Sequence, residues 1–288
     1  MNRSVVAGVN GSPESLAAAE WAAGEAARRR ARLWLLYAEE SLSEGARMAL
    51  LPEIDAPRRR ARGALREVRR TIAERHRDLI VEAHEITQDP RDALQAASKE
   101  AEVVVLGSSG MGAVAGYLMG SVGLATVAHA HCPVVLVRAG ESAREAGAAV
   151  VLGIDVRTSC DPVIDFAFDA ASRRAAPLHV VYAWKLPEWY GYAPGLPPQG
   201  ELPNPAEESM RALASTLAPW RTKWPSVQVT EAVVTGRAGH EVVQAAQDAA
   251  LLVVGRRVRH PSVGAAVGAV AHAVLHHARC PVGVVPHE

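Results

Sequence analysis

The sequence has little of several features that mark particular protein classes. Three cysteines among 288 residues are too few, and odd in number, for a disulfide framework. Lys and Arg total 31, as do Asp and Glu, so no net charge draws the chain toward nucleic acid or an anionic membrane. No stretch approaches the ~20 apolar residues of a membrane-spanning helix, and no signal peptide precedes the apolar segment Val5–Val9. These absences predict a cytoplasmic protein with reduced cysteines and no nucleic-acid or membrane partner.

The composition itself is that of a globular protein, with 49% hydrophobic and 22% charged residues. The length suggests two domains. Basic residues cluster at Arg28–Arg32 and Arg58–Arg62, both within helical patterns. We interpret each cluster as a solvated helix face.

An internal repeat runs through the chain, and such repeats decide the fold. Val6–Asn10 matches Val151–Asp155 at an offset of 145 residues. Cys132–Val134 matches Cys280–Val282 at an offset of 148 residues. The sequence therefore predicts two copies of one domain.

Strand-like and helix-like segments alternate within each copy, which predicts a parallel, doubly wound sheet with right-handed crossovers. Several strands are continuous Val and Leu runs, typical of strands covered by helices on both faces. We predict two such α/β domains, at 1–140 and 148–288. The predicted strands are Val5–Val9, Leu33–Ala38, Leu79–His84, Val103–Leu106, Val134–Val137, Val150–Ile154, Leu178–Tyr182, Val227–Val233, Leu251–Val254 and Val282–Val285. The predicted helices of the first copy are Glu14–Arg30, Ala56–His76, Pro90–Glu100 and Val122–Ala130.

One loop carries a pattern with a chemical meaning. Gly107-Ser108-Ser109-Gly110 follows the fourth predicted strand, and Gly120-Ser121 opens the next helix. Glycines let backbone N–H groups approach a phosphate, and a helix N-terminus adds unpaired donors and the positive end of the helix dipole. Ser121 is the predicted N-cap of that helix. The P-loop pattern is absent, and a formal dinucleotide fingerprint over Gly110–Ala115 follows the fourth strand rather than the first, which makes it the weaker interpretation.

These glycines, followed by Cys132–Val137 and preceded by the opening segment Val9–Ser15, resemble the universal stress protein signature. The resemblance covers nearly the whole chain, twice. It implies two flavodoxin-like domains, each with five parallel strands. It also implies a site for ATP or another adenine nucleotide at the ends of the first and fourth strands. Pairing of the last strands is implied as well, either within the chain or in a homodimer.

Carried over residue by residue, the resemblance implies a nucleotide site in the first domain. The residues that would contact adenosine are Gly8, Val9, Asn10 and Ala38. The residues that would hold ribose and phosphates are Leu106, Gly107, Gly110, Gly120, Ser121 and Val122. Asn10 stands where the family usually has aspartate. This substitution weakens the case for charge-dependent or Mg2+-assisted contacts more than the case for binding.

The second domain departs from the family pattern in the opposite way. It keeps Asp155, but Val258 stands at the second glycine position after Gly255, and Ala269 replaces serine after Gly268. Asp155, Gly255 and Gly268 are therefore secondary candidates for the site. One interpretation of the cations in this loop is that their side chains bind an anion. The simpler interpretation is exposed charge that keeps the protein soluble. These cations are Arg256, Arg257, Arg259 and His260.

Some histidines and cysteines need separate interpretation. His272 and His276 have the i, i+4 spacing of metal ligands but lack a third ligand nearby, so we favour surface histidines and predict no metal site. Cys132 and Cys280 are predicted to pack as small core residues. Cys160 lies near a helix start, where a thiol pKa can fall, and a reactive role is the less favoured alternative.

The leading hypothesis is an adenine-nucleotide-binding stress-response protein, with ATP, with or without Mg2+, bound mainly by the first domain. No strong base or metal cluster supports turnover, so we predict a binding protein with slow ATP hydrolysis at most. The main alternative is a nucleotide-free interaction member of the same family. An adenylating or flavin-linked enzyme is disfavoured because no further catalytic residues or cofactor motif can be found.

Overall fold

The computed structural model describes residues 4–39, 44–108, 120–140, 147–184, 205–258 and 267–288. The elements of the first repeat are β1 (Ser4–Gly8), α1 (Pro13–Arg29), β2 (Arg32–Glu39), α2 (Glu44–Arg75), β3 (Val81–Thr87), α3 (Pro90–Ala97), β4 (Val103–Ser108), α4 (Ser121–His129) and β5 (Val134–Arg138). Those of the second are β6 (Val150–Gly153), α5 (Asp161–Arg174), β7 (Leu178–Trp184), α6 (Pro205–Lys223), β8 (Val229–Thr235), α7 (Ala238–Ala245), β9 (Leu251–Arg257), α8 (Ala269–His277) and β10 (Val282–His287).

The described residues form two compact units. The first unit contains β1–β5 and residues 281–286, and its five parallel strands follow the order β3-β2-β1-β4-β5. Val282–Val284 run antiparallel to β5 and cover its edge. In the second unit, β8, β7, β6 and β9 are parallel and follow the same order. The predicted α/β fold with parallel strands is confirmed.

The strands form the core because their side chains are apolar on both faces. Every residue of β5 is buried, and so are Val103–Leu106 of β4. Helix α1 packs on this sheet through alanines, which let a helix approach closely: Ala18, Ala19, Ala22, Ala23 and Ala26 are fully buried. The Ser12 hydroxyl caps α1 by accepting from the Ser15 amide at 3.2 Å, and Pro13 occupies the first turn.

Several boundaries differ from the sequence prediction, and three of the differences have a clear physical reason. Helix α2, predicted to begin at Ala56, begins at Glu44 and continues through Pro52 and Pro57, each of which removes only one backbone hydrogen bond. Strands β3 and β8 begin two residues later than predicted. The reason is the same in both, because the amides of Leu79 and Val227 close turns onto His76 and Trp224.

The interpretation of the basic clusters as solvated faces is wrong for Arg29 and incomplete for Arg62, which is half-buried in ion pairs. Arg29 is only 7% exposed, and its Nε lies 2.6 Å from Oε1 of the buried Glu25. Arg62 lies 2.8 Å from Glu39 and 3.2 Å from Glu85, so it ties α2 to the ends of β2 and β3. The alternation of Arg and Ala in the sequence does not predict these ion pairs, because the acidic partners lie in other elements or one helical turn away.

The structure requires a glycine at position 107. A Cβ added to Gly107 would lie 2.6 Å from the backbone nitrogen of Ser15 and 2.6 Å from the carbonyl oxygen of Glu14. Such contacts fall well inside van der Waals range, and backbone atoms cannot rotate away as a side chain would. The first turn of α1 therefore sits against the carboxyl end of β4.

We expect Gly107→Ala to lower the free energy of unfolding by roughly 1–3 kcal/mol, the usual cost of overpacking, because α1 must move. The thermal midpoint should fall accordingly in calorimetry. Gly63→Ala is the matched control, since a Cβ there meets nothing within 4 Å and alanine favours a helix interior. A midpoint for Gly107→Ala equal to that of Gly63→Ala would contradict this packing.

Candidate functional site

A cleft of about 310 Å³ opens in the first unit at the carboxyl ends of β1 and β4, where the strand order reverses. This is the switch point at which ligands bind in doubly wound sheets. We call it the switch-point cleft. Its lining residues are Gly8, Val9, Asn10, Ser12, Glu14, Ser15, Leu36, Ala38, Pro90, Leu94, Leu106, Gly107, Gly120, Ser121, Val122 and Gly123.

The cleft brings together all the candidate residues of the first domain that the structure describes. They come from the ends of three strands and the start of one helix: Gly8, Val9, Asn10, Ala38, Leu106, Gly107, Gly120, Ser121 and Val122. Gly110 lies outside the described residues. Sequence reasoning missed Leu94, although it sits on the apolar face of the short helix α3 and could have been found from that pattern.

One end of the cleft is apolar. Val9, Leu36, Leu94 and Leu106 are each at most 5% exposed. Gly8 allows this packing, because a Cβ there would lie 2.6 Å from Cδ2 of Leu106. This end offers buried hydrocarbon surface that suits a flat, weakly polar group.

The other end is polar and is formed by the start of α4. The first intrahelical bond runs from the Leu124 amide to the Gly120 carbonyl at 3.1 Å. The amides of Ser121, Val122 and Gly123 precede that bond, and these residues line the cleft. Helix-start amides carry partial positive charge and favour an anion.

The prediction that Ser121 caps α4 is wrong. Gly120 is the N-cap, with φ −54° and ψ 145°, and Ser121 is the first helical residue, without a side-chain capping bond. A glycine and a serine in succession are both acceptable caps, so the sequence left a one-residue ambiguity. The exposed Ser121 hydroxyl is therefore not committed to capping.

Asn10 closes a tight turn after β1. Its Oδ1 accepts from the Ser12 amide at 3.0 Å, and its own amide donates to the Ser15 hydroxyl at 3.3 Å. In the second repeat, Oδ1 of Asp155 accepts in the same way from the Arg157 amide at 3.1 Å. Asparagine thus keeps the geometry of the turn and loses only the charge.

In the second repeat the aspartate is already engaged. The Arg157 guanidinium contacts Asp155 with both branches, from Nε at 2.9 Å and from Nη2 at 3.0 Å. These hydrogen bonds hold the pKa of Asp155 below its usual value, against the opposing effect of partial burial. A ligand that needed this carboxylate would have to displace Arg157.

The glycines of the second repeat also sit differently. A Cβ at Gly255 would lie 2.7 Å from Nε2 of His287, whereas the neighbour of Gly107 is the α1 backbone. Gly268, which precedes α8, has φ +86°, so α8 is entered by another backbone path than α4. The surroundings of Gly255 and the backbone at Gly268 therefore differ from those of Gly107 and Gly120 in the switch-point cleft.

The cations of the second loop are not simply exposed charge. Arg256 is only 6% exposed, and burial lowers the pKa of its guanidinium. Arg257 is exposed. Arg259 and His260 lie outside the described residues.

The remaining candidate groups form no reactive centre in the described part of the chain. Within the described ranges, no three metal-ligating side chains cluster, and His272 and His276 contact each other with tilted rings whose centroids lie 4.3 Å apart. Cys132 and Cys280 are buried, as expected for core residues. Burial, followed by the charges of Asp161 and Asp155, raises the pKa of Cys160 to about 11, the opposite of activation.

Because the thiol pKa of Cys160 is about 11 and that of Cys132 about 12, both should react slowly with a disulfide reagent at pH 8. The rate for Cys160 should rise about tenfold per pH unit up to pH ~11, as the thiolate fraction grows. Absorbance kinetics with Ellman's reagent measure this. Protein unfolded in guanidinium, in which all three thiols react at once, is the control; rapid labelling of native Cys160 at pH 7 would refute the assignment.

Fold and cleft together define a doubly wound α/β protein with a ligand-sized opening at its switch point. The universal stress protein family model matches residues 1–138 and again 148–286. The chain therefore belongs to the universal stress protein family, in a tandem arrangement.

Similar proteins cover nearly the whole chain. Universal stress protein Rv2005c of Mycobacterium tuberculosis is 35% identical over 291 residues, spanning 96% of this chain and 95% of that protein. Universal stress protein Rv2623 of the same organism is 31% identical and spans 96% and 94%. A universal stress protein crystal structure from Archaeoglobus fulgidus matches the fold with a TM-score of 0.73 at 15% identity, over 99% of this chain and 98% of that one.

No helix among the described residues combines the length and apolarity needed to cross a bilayer.

Proposed function

We propose that the first repeat binds an adenine nucleotide, ATP with or without Mg2+, in the switch-point cleft, and that the protein acts by binding rather than by turnover. The observation that carries this proposal is the division of the cleft. The buried apolar side chains of the cleft, such as Val9 and Leu106, suit a purine base. The amides of Ser121–Gly123 suit the phosphates of the nucleotide.

The sparse ionisable chemistry of the cleft supports a binding role. Glu14 is the one ionisable side chain among the described residues that line it. General acid–base catalysis needs a positioned group with a tuned pKa, and usually a second group to complete the transfer. Hydrolysis of ATP should therefore be slow, and bound nucleotide would instead bias a conformation or assembly of the stress protein.

The second repeat serves as a structural or regulatory twin in this proposal. Support comes from the bidentate contact of Arg157 with Asp155 and from the His287 side chain against Gly255. The antiparallel ladder of Val282–Val284 with β5 supports pairing of the last strands within one chain. A dimer through the same strand edge would have to displace that ladder.

Ser121→Asp tests where the phosphates bind. An aspartate in the first turn stabilises a helix, so α4 should form, but its charge repels an anion at the same place. We expect ATP affinity to fall at least tenfold and adenosine affinity to stay within twofold, because adenosine has no phosphate. Isothermal titration of the full chain with each ligand measures both.

The matched control is Ala269→Asp, which adds the same charge at the first residue of α8 in the second repeat. It should leave ATP affinity unchanged. Equal loss in both variants, or no heat and no thermal stabilisation of the wild type at millimolar ATP, would reject the proposal in favour of a nucleotide-free interaction protein.

A further inference from the structure

A second cavity lies in the first unit at the amino ends of β2 and β3, the sheet edge opposite to the switch-point cleft. Its volume is about 680 Å³, it is open to solvent, and it is lined by the ends of α1 and α2 and the turns that follow them. Ala26 and Ala27 of α1 belong to the lining. Its charged lining consists of Arg30, Arg32, Arg75, His76, Arg77 and Asp78. We call it the basic cavity.

Two of the four arginines are neutralised within the protein. Arg32 Nη1 lies 3.2 Å from Glu82, and Arg75 Nη1 lies 3.1 Å from Glu20. Arg30 and Arg77 are exposed and have no ion pair or side-chain hydrogen bond with any residue that the structure describes. Asp78 is the one acidic residue among the described residues of the lining. The cavity thus holds two guanidinium groups whose donors remain available.

The helix dipole does not account for Arg30. Basic residues near a helix C-terminus are favourable, but Arg28 and Arg29 already occupy the last turn of α1. The matching helix α5 of the second repeat ends with Arg173 and Arg174 and has no arginine beyond them. Arg30 is therefore additional to what the helix end uses.

The backbone does not require these arginines either, because the second repeat makes the same turn without them. Arg30 adopts φ 51° at the end of α1, and Ala175 adopts φ 48° at the end of α5. The hydrogen bonds that follow also correspond: the Leu33 amide donates to Ile80 at 2.9 Å, and the Leu178 amide donates to Gln228 at 2.8 Å.

These correspondences align the charged lining with its counterpart in the second repeat. The equivalent residues there are Ala175, Pro177, Lys223, Trp224, Pro225 and Ser226. Four arginines and a histidine line the cavity in the first repeat, whereas the equivalent positions of the second repeat contain a single lysine. Since one scaffold carries both sets, the excess of positive charge is a property of this copy and not of the fold.

We propose that the basic cavity binds a ligand with two or more linked phosphate groups. Guanidinium groups match phosphate oxygens with paired N–H donors, and two free ones in one concavity can engage neighbouring phosphates. Apart from His76, the described residues of the lining offer no aromatic ring on which a nucleobase could stack, so the phosphate chain is the main recognised part. The volume lies within the range of small-molecule sites.

Titration of the full chain with inorganic triphosphate tests this site. The measurement uses the Ser121→Asp background, which suppresses phosphate binding at the switch-point cleft. The test variant is Arg30→Ala combined with Arg77→Ala; alanine is tolerated at the first position, as Ala175 shows at the same φ. We expect at least a tenfold loss of triphosphate affinity.

The control combines Arg60→Ala with Arg66→Ala, which removes the same charge from exposed positions of α2 outside the cavity. It should change triphosphate affinity less than twofold. An equal loss in test and control variants would overturn the proposal by showing only general charge attraction. Absence of triphosphate binding in the Ser121→Asp protein, or equally tight binding of citrate, would overturn it too.

Adenosine binding separates this site from the switch-point cleft. The Arg30 and Arg77 double variant should bind adenosine as the wild type does. If the wild type does not bind adenosine, the proposed nucleotide function is rejected and the basic cavity still stands. If the Arg30 and Arg77 double variant loses no more triphosphate affinity than the control variant, the basic cavity is rejected and the nucleotide function still stands.

Discussion

The close approach of α1 to Gly107 is the constraint on which the switch-point cleft depends. Because no side chain separates strand β4 from the first turn of α1, Ser12 and Ser15 lie beside the end of β1. The Ser15 hydroxyl accepts from the Asn10 amide, and the Asn10 side chain accepts from the Ser12 amide, so both serines fix the turn at Asn10. The ends of β1 and β4 are thus held in one arrangement, and α4 starts across from them with its free amides.

The fold and most of the candidate site were predictable because both rest on local patterns. Runs of valine indicate buried parallel strands, and the glycines from Gly107 to Gly120 indicate a close backbone approach. The rest depends on contacts between distant elements. No local pattern predicts the ion pair between Arg62 and Glu39. A proline such as Pro57 occurs both at helix starts and within longer helices, so it does not fix the start of α2.

The two repeats show how one scaffold can carry different chemistry at the two edges of the sheet where its strands end, the carboxyl edge and the amino edge. At the carboxyl edge, the first repeat leaves the turn residue Asn10 uncharged, whereas the second engages Asp155 with its own Arg157. At the amino edge, the first repeat gathers arginines where the second has alanine and proline. In both places the hydrogen bonds of the backbone are kept. Side chains that the scaffold does not need are therefore the ones that distinguish the repeats.

The central claim is that each chain has one site that holds an adenine base, and that this site lies in the switch-point cleft of the first repeat. A crystal structure of the full chain grown with ATP tests this claim most directly. The account predicts density for one adenine base between Val9 and Leu106, with phosphates at the amides of Ser121–Gly123 and the Arg157–Asp155 contact intact. An adenine base beside Asp155, or an empty first cleft at saturating ATP, would contradict it.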